Sequence, residues 1–260
     1  MTDHPDLSII LPAHNESRRL DRCLSELMLM SAVWSYSVGP KMEILIIENG
    51  SSDDTEMIAW RWQHPPNNIH VLHCDQRGKG LAVRTGMLAA HGKYRYMADV
   101  DLSTPPYEIY NFINAMETYD LVIGSRELDR KLVKTSLRRR MVGRCFHLLA
   151  SKLVPGIRDT QCGFKMFTAE AAEKIFSRAQ VNGMAFDVEV LLIARQLGLR
   201  MKEIPVPWEN DPDSRVSISD PAQMFYDLLR MYARHIPTNE KDQHHQGLRD
   251  KTLSRYQRSE

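Results

Sequence analysis

Apolar residues in this chain gather in short runs separated by polar turns. Leu7–Leu11, Lys41–Glu48, Ile69–His73, Tyr94–Asp99 and Leu121–Ser125 each read as a buried strand. Between them, Ser17–Met30, Asp53–Trp62, Gly80–His91 and Pro105–Met116 carry helical spacing. Such alternation predicts an α/β chain whose largely parallel sheet is covered by helices on both faces.

After Arg126 the pattern changes. Arg130, Lys131, Lys134, Arg138, Arg139, Arg140, Arg144 and Lys152 share a segment with Met141, Val142, Phe146, Leu148, Leu149, Leu153 and Val154, which predicts a basic amphipathic helix. From Thr238 to Glu260 apolar residues are few, and such a stretch cannot offset its ordering entropy. The expected organisation is one domain over residues 1–237 and a mobile polar tail over 238–260.

A chain of 260 residues can bury a sizeable core. Its 34 basic and 33 acidic residues nearly cancel, so no global field points to a nucleic-acid partner. Cys23, Cys74, Cys145 and Cys162 lie far apart without a Cys-x-x-Cys pair, which argues against a zinc framework or disulfides and for reduced thiols. No leader-like N-terminus and no run near the roughly 20 apolar residues that span a bilayer is present. The expected location is the cytoplasm, with peripheral contact at the inner face of a membrane.

The candidate chemistry sits where the strands end. Tyr96–Ala98 leads into Asp99-Val100-Asp101, and carboxylates two apart beyond a strand can converge on one divalent cation. Leu7–Leu11 runs into Pro12-Ala13-His14-Asn15-Glu16, and Met42–Ile47 runs into Glu48-Asn49-Gly50-Ser51-Ser52-Asp53. In open α/β sheets ligands bind at that carboxyl edge. Gln76-Arg77-Gly78-Lys79-Gly80 follows a strand and opens a helix, where backbone amides and Lys79 can meet phosphate oxygens.

These motifs, followed by Gly124-Ser125-Arg126 and Asp159-Thr160-Gln161-Cys162-Gly163-Phe164-Lys165, stand in the order seen in family 2 inverting glycosyltransferases. From about Leu7 to Arg234 the chain resembles the branch containing the dolichyl-phosphate glucosyltransferases and mannosyltransferases. The Asp159–Lys165 string, Phe186-Asp187-Val188-Glu189 and Val206-Pro207-Trp208 resemble the glucosyl members more. The resemblance implies a GT-A fold, with a mixed, mostly parallel central sheet flanked by helices on both faces.

It also implies roles. Pro12, Ala13, Asn15 and Glu16 would wall the nucleoside, with Glu48 and Gly50 beside it; Glu48 stands where the family more often has aspartate, which leaves the donor base open. Asp99, Val100 and Asp101 would meet the donor diphosphate, with Asp99 and Asp101 holding Mg²⁺ or Mn²⁺. Lys79 and Arg126 would add cations near the phosphates, Asp159 would stand beside the reacting sugar as the candidate base, and Gln161 would contact hexose hydroxyls. Arg138, Arg139, Arg140 and Arg215 would meet the phosphate of a lipid acceptor.

The favoured donor is UDP-glucose and the favoured acceptor a polyprenyl or dolichyl phosphate. GDP-mannose, a soluble alcohol acceptor, or a nucleotide-sugar-binding module without turnover remain as alternatives.

Overall fold

The computed structural model describes residues 4–36, 39–64, 67–129, 133–134, 150–209 and 220–235. A seven-stranded sheet runs β3 (Ile69–His73), β2 (Met42–Glu48), β1 (Leu7–Ala13), β4 (Tyr94–Met97), β7 (Lys165–Thr168), β5 (Leu121–Ser125), β8 (Met201–Pro205). Pairing is parallel except at β7, which is antiparallel to both β4 and β5. β6 (Val133–Lys134) and β9 (Trp208–Glu209) form a separate parallel pair.

Strand periodicity divides the core in two. Ile10, Leu45, Ile47, Met97, Leu121 and Ile123 face one side. There they meet Val83 and Met87 of α3 (Lys79–Ala89), Ile175 of α5 (Ala169–Phe176) and Leu191 of α6 (Phe186–Gln196). Ile9, Leu11, Ile44, Ile46, Tyr96 and Val122 face the other, against Leu24 of α1 (Leu20–Tyr36), Ile58 of α2 (Thr55–Trp62) and Phe112 of α4 (Ile109–Ala115). A strand buried on both faces reads as a continuous apolar run, which is why these segments were visible in the sequence. Burying each such side chain contributes about 1.5–3 kcal/mol.

The mixed, mostly parallel sheet with helices on both faces is the expected architecture. Four strands were not anticipated from the sequence: β7 and β8 of the large sheet and the short pair β6 and β9. The strand expected over Tyr94–Asp99 stops at Met97, so Asp99 and Asp101 lie in the turn beyond it.

Of the predicted basic helix, Val133 and Lys134 form strand β6 paired with β9 and are not helical, while 130–132 and 135–149 lie outside the described residues. Its described end, helical over 150–153, packs inward: Ala150, Leu153 and Val154 join the core instead of forming an outward apolar stripe. α7 (Asp220–His235) covers this end with Leu228 and Met231. The predicted tail, 238–260, is outside the described residues.

Candidate active site

The turns after β1, β2 and β4 share one edge of the sheet. After β1, Asn15 adopts a left-handed φ of 57°. It is tied to the turn after β2: its side-chain oxygen accepts from Ser52 N at 2.8 Å and its own N–H donates to Ser51 Oγ at 3.0 Å. Gly50, with φ 63°, supplies the left-handed residue that this second turn requires. Glu16 receives Arg19 through Nε at 2.6 Å and Nη2 at 2.8 Å. Burial raises its carboxyl above the usual range, Arg19 opposes this, and Asp101 and Asp99 push it up further. Glu16 therefore shares an electrostatic field with both aspartates.

Glu48 ends β2 fully buried, its Oε1 accepting from Ser51 N at 2.5 Å. The neighbouring Asn49 stitches β2 to the loop before α3, donating to Gln76 O at 2.7 Å and accepting from Gly78 N at 2.6 Å. The N–H groups of Gly80 and Leu81 donate to Asn182 O at 2.8 and 3.3 Å. Glu189 holds that loop by accepting from Gln180 N and Val181 N at 2.9 and 2.8 Å. The first amides of α3, which the sequence offered to phosphate, are thus used inside the protein, leaving Lys79 as the group this helix start directs to the edge.

Lys79 Nζ donates to Asp99 Oδ1 at 2.5 Å. Burial disfavours its charged form, but Asp99 and then Asp187 prevail and hold the ammonium above its ordinary range. Asp101 accepts from Ser103 N at 2.9 Å. Burial raises its carboxyl and the like charge of Asp99 raises it further. Val100, between them, is buried in the core. Leu102 takes φ 50°, costly for a leucine and on the order of 1–2 kcal/mol. Gly163 closes the other side of Asp99, since a methyl group on its Cα would overlap the Asp99 carboxylate.

The far half of the edge is built around Arg126 and Asp159. Arg126 donates to Asp159 from Nε at 2.7 Å, from Nη2 at 2.9 Å and from its backbone N–H at 3.0 Å. Burial pushes the Asp159 carboxyl up, but the Arg126 charge and hydrogen bonds outweigh it and hold the group below the usual carboxylate range. Glu203 of β8 anchors the same turn by accepting from Asp159 N and Arg158 N, both at 2.9 Å. Gln161 N donates to Asp159 Oδ1 at 3.3 Å. Trp208 lies with its ring 5.6 Å from the Arg126 guanidinium, within cation–π range.

Beneath these groups Lys165, wholly buried, donates to Asp187 Oδ1 at 2.5 Å and Cys162 O at 2.6 Å. Burial raises the Asp187 carboxyl, which Lys165 and Lys79 partly offset. Burial likewise pushes the Cys162 thiol up to about 12, as expected of a packed thiol and not a nucleophile. Sequence reading missed Glu203, Asn182 and the Lys165–Asp187 pair, because each acts across a long sequence separation with no local signature. Arg138, Arg139, Arg140 and Arg215 lie outside the described residues.

The family model described as Glycosyl transferase family 2 matches residues 8–176. A dolichyl-phosphate beta-glucosyltransferase of Dictyostelium discoideum is 36% identical over 248 residues, covering 90% of this chain and 76% of that protein. Those of Drosophila melanogaster and Homo sapiens are 37% and 33% identical, covering 89% and 88% of this chain and 76% of each relative. A solved structure of glucosyl-3-phosphoglycerate synthase from Mycobacterium tuberculosis, in complex with Mn²⁺, UDP and phosphoglyceric acid, superposes with a TM-score of 0.63 at 16% identity, covering 90% of this chain and 80% of that one. That similarity is one of fold. The chain belongs to glycosyl transferase family 2, and it is a glycosyltransferase. The relatives named here bear the glucosyl name, in keeping with the resemblance carried by Asp159–Lys165.

Proposed function

We propose that this chain transfers glucose from UDP-glucose to a dolichyl or polyprenyl phosphate with inversion at the anomeric carbon. The observation that carries this reading is the Arg126–Asp159 fork. A carboxylate held below its usual range is a poor general base, which an alcohol acceptor would need. A phosphate monoester, with a second pKa of about 6, is already an anionic nucleophile at neutral pH. Its oxygen forms the new bond to the anomeric carbon while the bond to UDP breaks, the electron pair leaving with the diphosphate. Entry opposite an α-linked leaving group gives a β product, which agrees with the name the relatives carry.

Asp99 and Asp101 are the residues we assign to Mg²⁺ or Mn²⁺. The donor set fits: the oxygens are hard, and the like charge of Asp99 raises the Asp101 carboxyl, a repulsion that a divalent cation relieves. When bound, the ion supplies Lewis-acid stabilisation to the departing diphosphate. Pro12, Ala13, Asn15, Glu16, Glu48 and Gly50 are assigned to the nucleoside, Lys79 to balancing Asp99, and Gln161 to the hexose. Arg126 and Asp159 act as a pair that orients the acceptor side.

Membrane contact is part of the proposal. α7 turns Leu228 and Met231 inward while Phe225, Tyr226, Leu229 and Tyr232 remain exposed, a face suited to interfacial burial. Lys152 and Arg230 lie beside it, and Arg138, Arg139 and Arg140 would add attraction to anionic lipid. No described helix is long and apolar enough to cross a membrane. Cys23, Cys74 and Cys162 are free and buried, which suits work at the cytoplasmic face.

The test is turnover by the purified chain with Mn²⁺, offering UDP-glucose or GDP-mannose against dolichyl phosphate or a water-soluble alcohol. Lipid-linked glucose with stoichiometric UDP is expected. Preference for GDP-mannose, or for the alcohol, would overturn the assignment.

A further inference from the structure

Apart from Asp99 and Asp101, ligating atoms converge on the opposite flank of the edge. Parallel pairing of β2 and β3 sets Glu48 beside His73, and the first turn of α2 brings Glu56 over them. One ligating atom from each lies within 4.8 Å of the other two. His73 Nδ1 is 2.7 Å from Glu48 Oε2 and 3.8 Å from Glu56 Oε1. The other ring nitrogen of His73 is 3.4 Å from Asp75 Oδ1, a carboxylate that can fix the tautomer.

The second observation is Glu48 itself. Its carboxylate is 1% exposed, and Oε2 accepts no hydrogen bond, although Nδ1 is so near. Nδ1 thus approaches Oε2 without an aligned N–H, and a cation bound between them would satisfy both atoms. An orphaned buried carboxylate oxygen is costly, by about 1–3 kcal/mol, unless something else satisfies it.

We propose that Glu48, Glu56 and His73 bind a borderline transition-metal cation of the zinc class, as a site separate from Asp99 and Asp101. One imidazole nitrogen and two carboxylates match the donors zinc takes, and their two negative charges balance its own. Tetrahedral zinc with bonds of about 2.1 Å sets its ligands about 3.4 Å apart, inside the spread of separations observed. Glu56 and His73 are half exposed, at 51% and 44%, so the ion can enter and water can complete its shell. By contrast, the all-oxygen pair Asp99 and Asp101 suits Mg²⁺ or Mn²⁺. Resting on the donor-site reading, the consequence is inhibition: a cation here removes Glu48 from the nucleoside wall, so Zn²⁺ competes with UDP-glucose.

Nucleotide-free full-length chain titrated with ZnCl₂ in a calorimeter tests the site. One ion per chain is expected, weakened about tenfold or more in His73→Ala and in Glu56→Gln, since losing even an outer-shell partner costs about that much. Asp101→Ala should bind Zn²⁺ as the wild type does, and Co²⁺ should give visible bands that His73→Ala abolishes. Zn²⁺ binding that His73→Ala and Glu56→Gln leave unchanged overturns the site. If instead zinc binds as expected but does not raise the KM for UDP-glucose, the site stands and the placement of Glu48 at the nucleoside fails.

Discussion

Arg126 grips Asp159 through the Nε–Nη2 edge of its guanidinium and through its own backbone amide, with all three hydrogen bonds at 2.7–3.0 Å. The carboxylate is charge-stabilised, and the arginine is committed to it before any ligand arrives. Asp159→Asn therefore removes a charge partner instead of a working base. With dolichyl phosphate we expect a fall in kcat/KM with no loss of an acidic limb in the pH–rate profile. An abolished acidic limb would restore the base role.

The same pair predicts a pH signature. The folded carboxyl of Asp159 lies below its unfolded value, so its stabilisation is complete above the unfolded pKa of about 3.9 and is lost as pH falls through the lower folded value. Thermal unfolding of wild type and Asp159→Asn should converge as pH drops below about 4. A constant gap between the two down to acid pH would contradict the depressed carboxyl.

Asp101→Ala should abolish turnover and Mn²⁺-dependent UDP binding while the melting temperature changes little, because the residue lies in the turn beyond β4 and its hydrogen bond is to Ser103 N of that same turn. Excess EDTA should silence the wild type likewise. A chain fully active in EDTA would end the metal assignment.

Gly163→Ala places a methyl group against the Asp99 carboxylate, which must shift and so disturb its hydrogen bond with Lys79. Mn²⁺-dependent UDP affinity should fall about tenfold, roughly 1.4 kcal/mol, with little change in unfolding temperature. Unchanged UDP affinity, measured calorimetrically, would show that Asp99 can move without consequence.

Lys165→Met leaves Asp187 buried without its partner, a loss of about 3–5 kcal/mol. In a domain of this size that lowers the melting temperature by on the order of 10 °C. Melting the double variant Lys165→Met, Asp187→Leu checks the cause, since removing both charges should recover much of the loss.

Replacing Phe225, Leu229 and Tyr232 by Ser should weaken sedimentation with anionic liposomes without affecting UDP-glucose binding, as these side chains face outward. Arg138→Gln, Arg139→Gln and Arg140→Gln together should do the same at low salt. Equal sedimentation of both variants and wild type would remove the membrane contact.

Much of this was legible in the sequence, and the exceptions have physical causes. β1, β2 and β5 announce themselves because burial on both faces demands unbroken apolar runs, and the edge strand β3 does so by alternation, Ile69 and Val71 buried and His70 and His73 exposed. β7 was hidden because it opens on Lys165, a charge buried only by virtue of Asp187, 22 residues away. β8 was hidden because a partly exposed edge strand tolerates Lys202 and Glu203. The acidic and glycine motifs flagged the edge of the sheet, yet the residues that fix them were not legible. Glu203 reaches the Asp159 turn from another strand, and Asn182 caps α3 from a loop about a hundred residues further on.

The reversal of β7 has a consequence for how the two halves of the sheet edge are joined. A strand running against its neighbours presents its beginning, not its end, at the edge where the others finish, and Lys165 pairs there with Met97. The turns after β1, β2 and β4 thus hang on strand exits, while the Asp159–Phe164 segment hangs on a strand entrance clamped between β4 and β5. A single register governs both, so a one-residue insertion between Phe164 and Thr168 would carry the Asp159–Phe164 segment along the sheet while the turns after β1, β2 and β4 stayed put. Such a chain could keep its fold and its affinity for nucleotide and still lose the alignment between nucleophile and anomeric carbon.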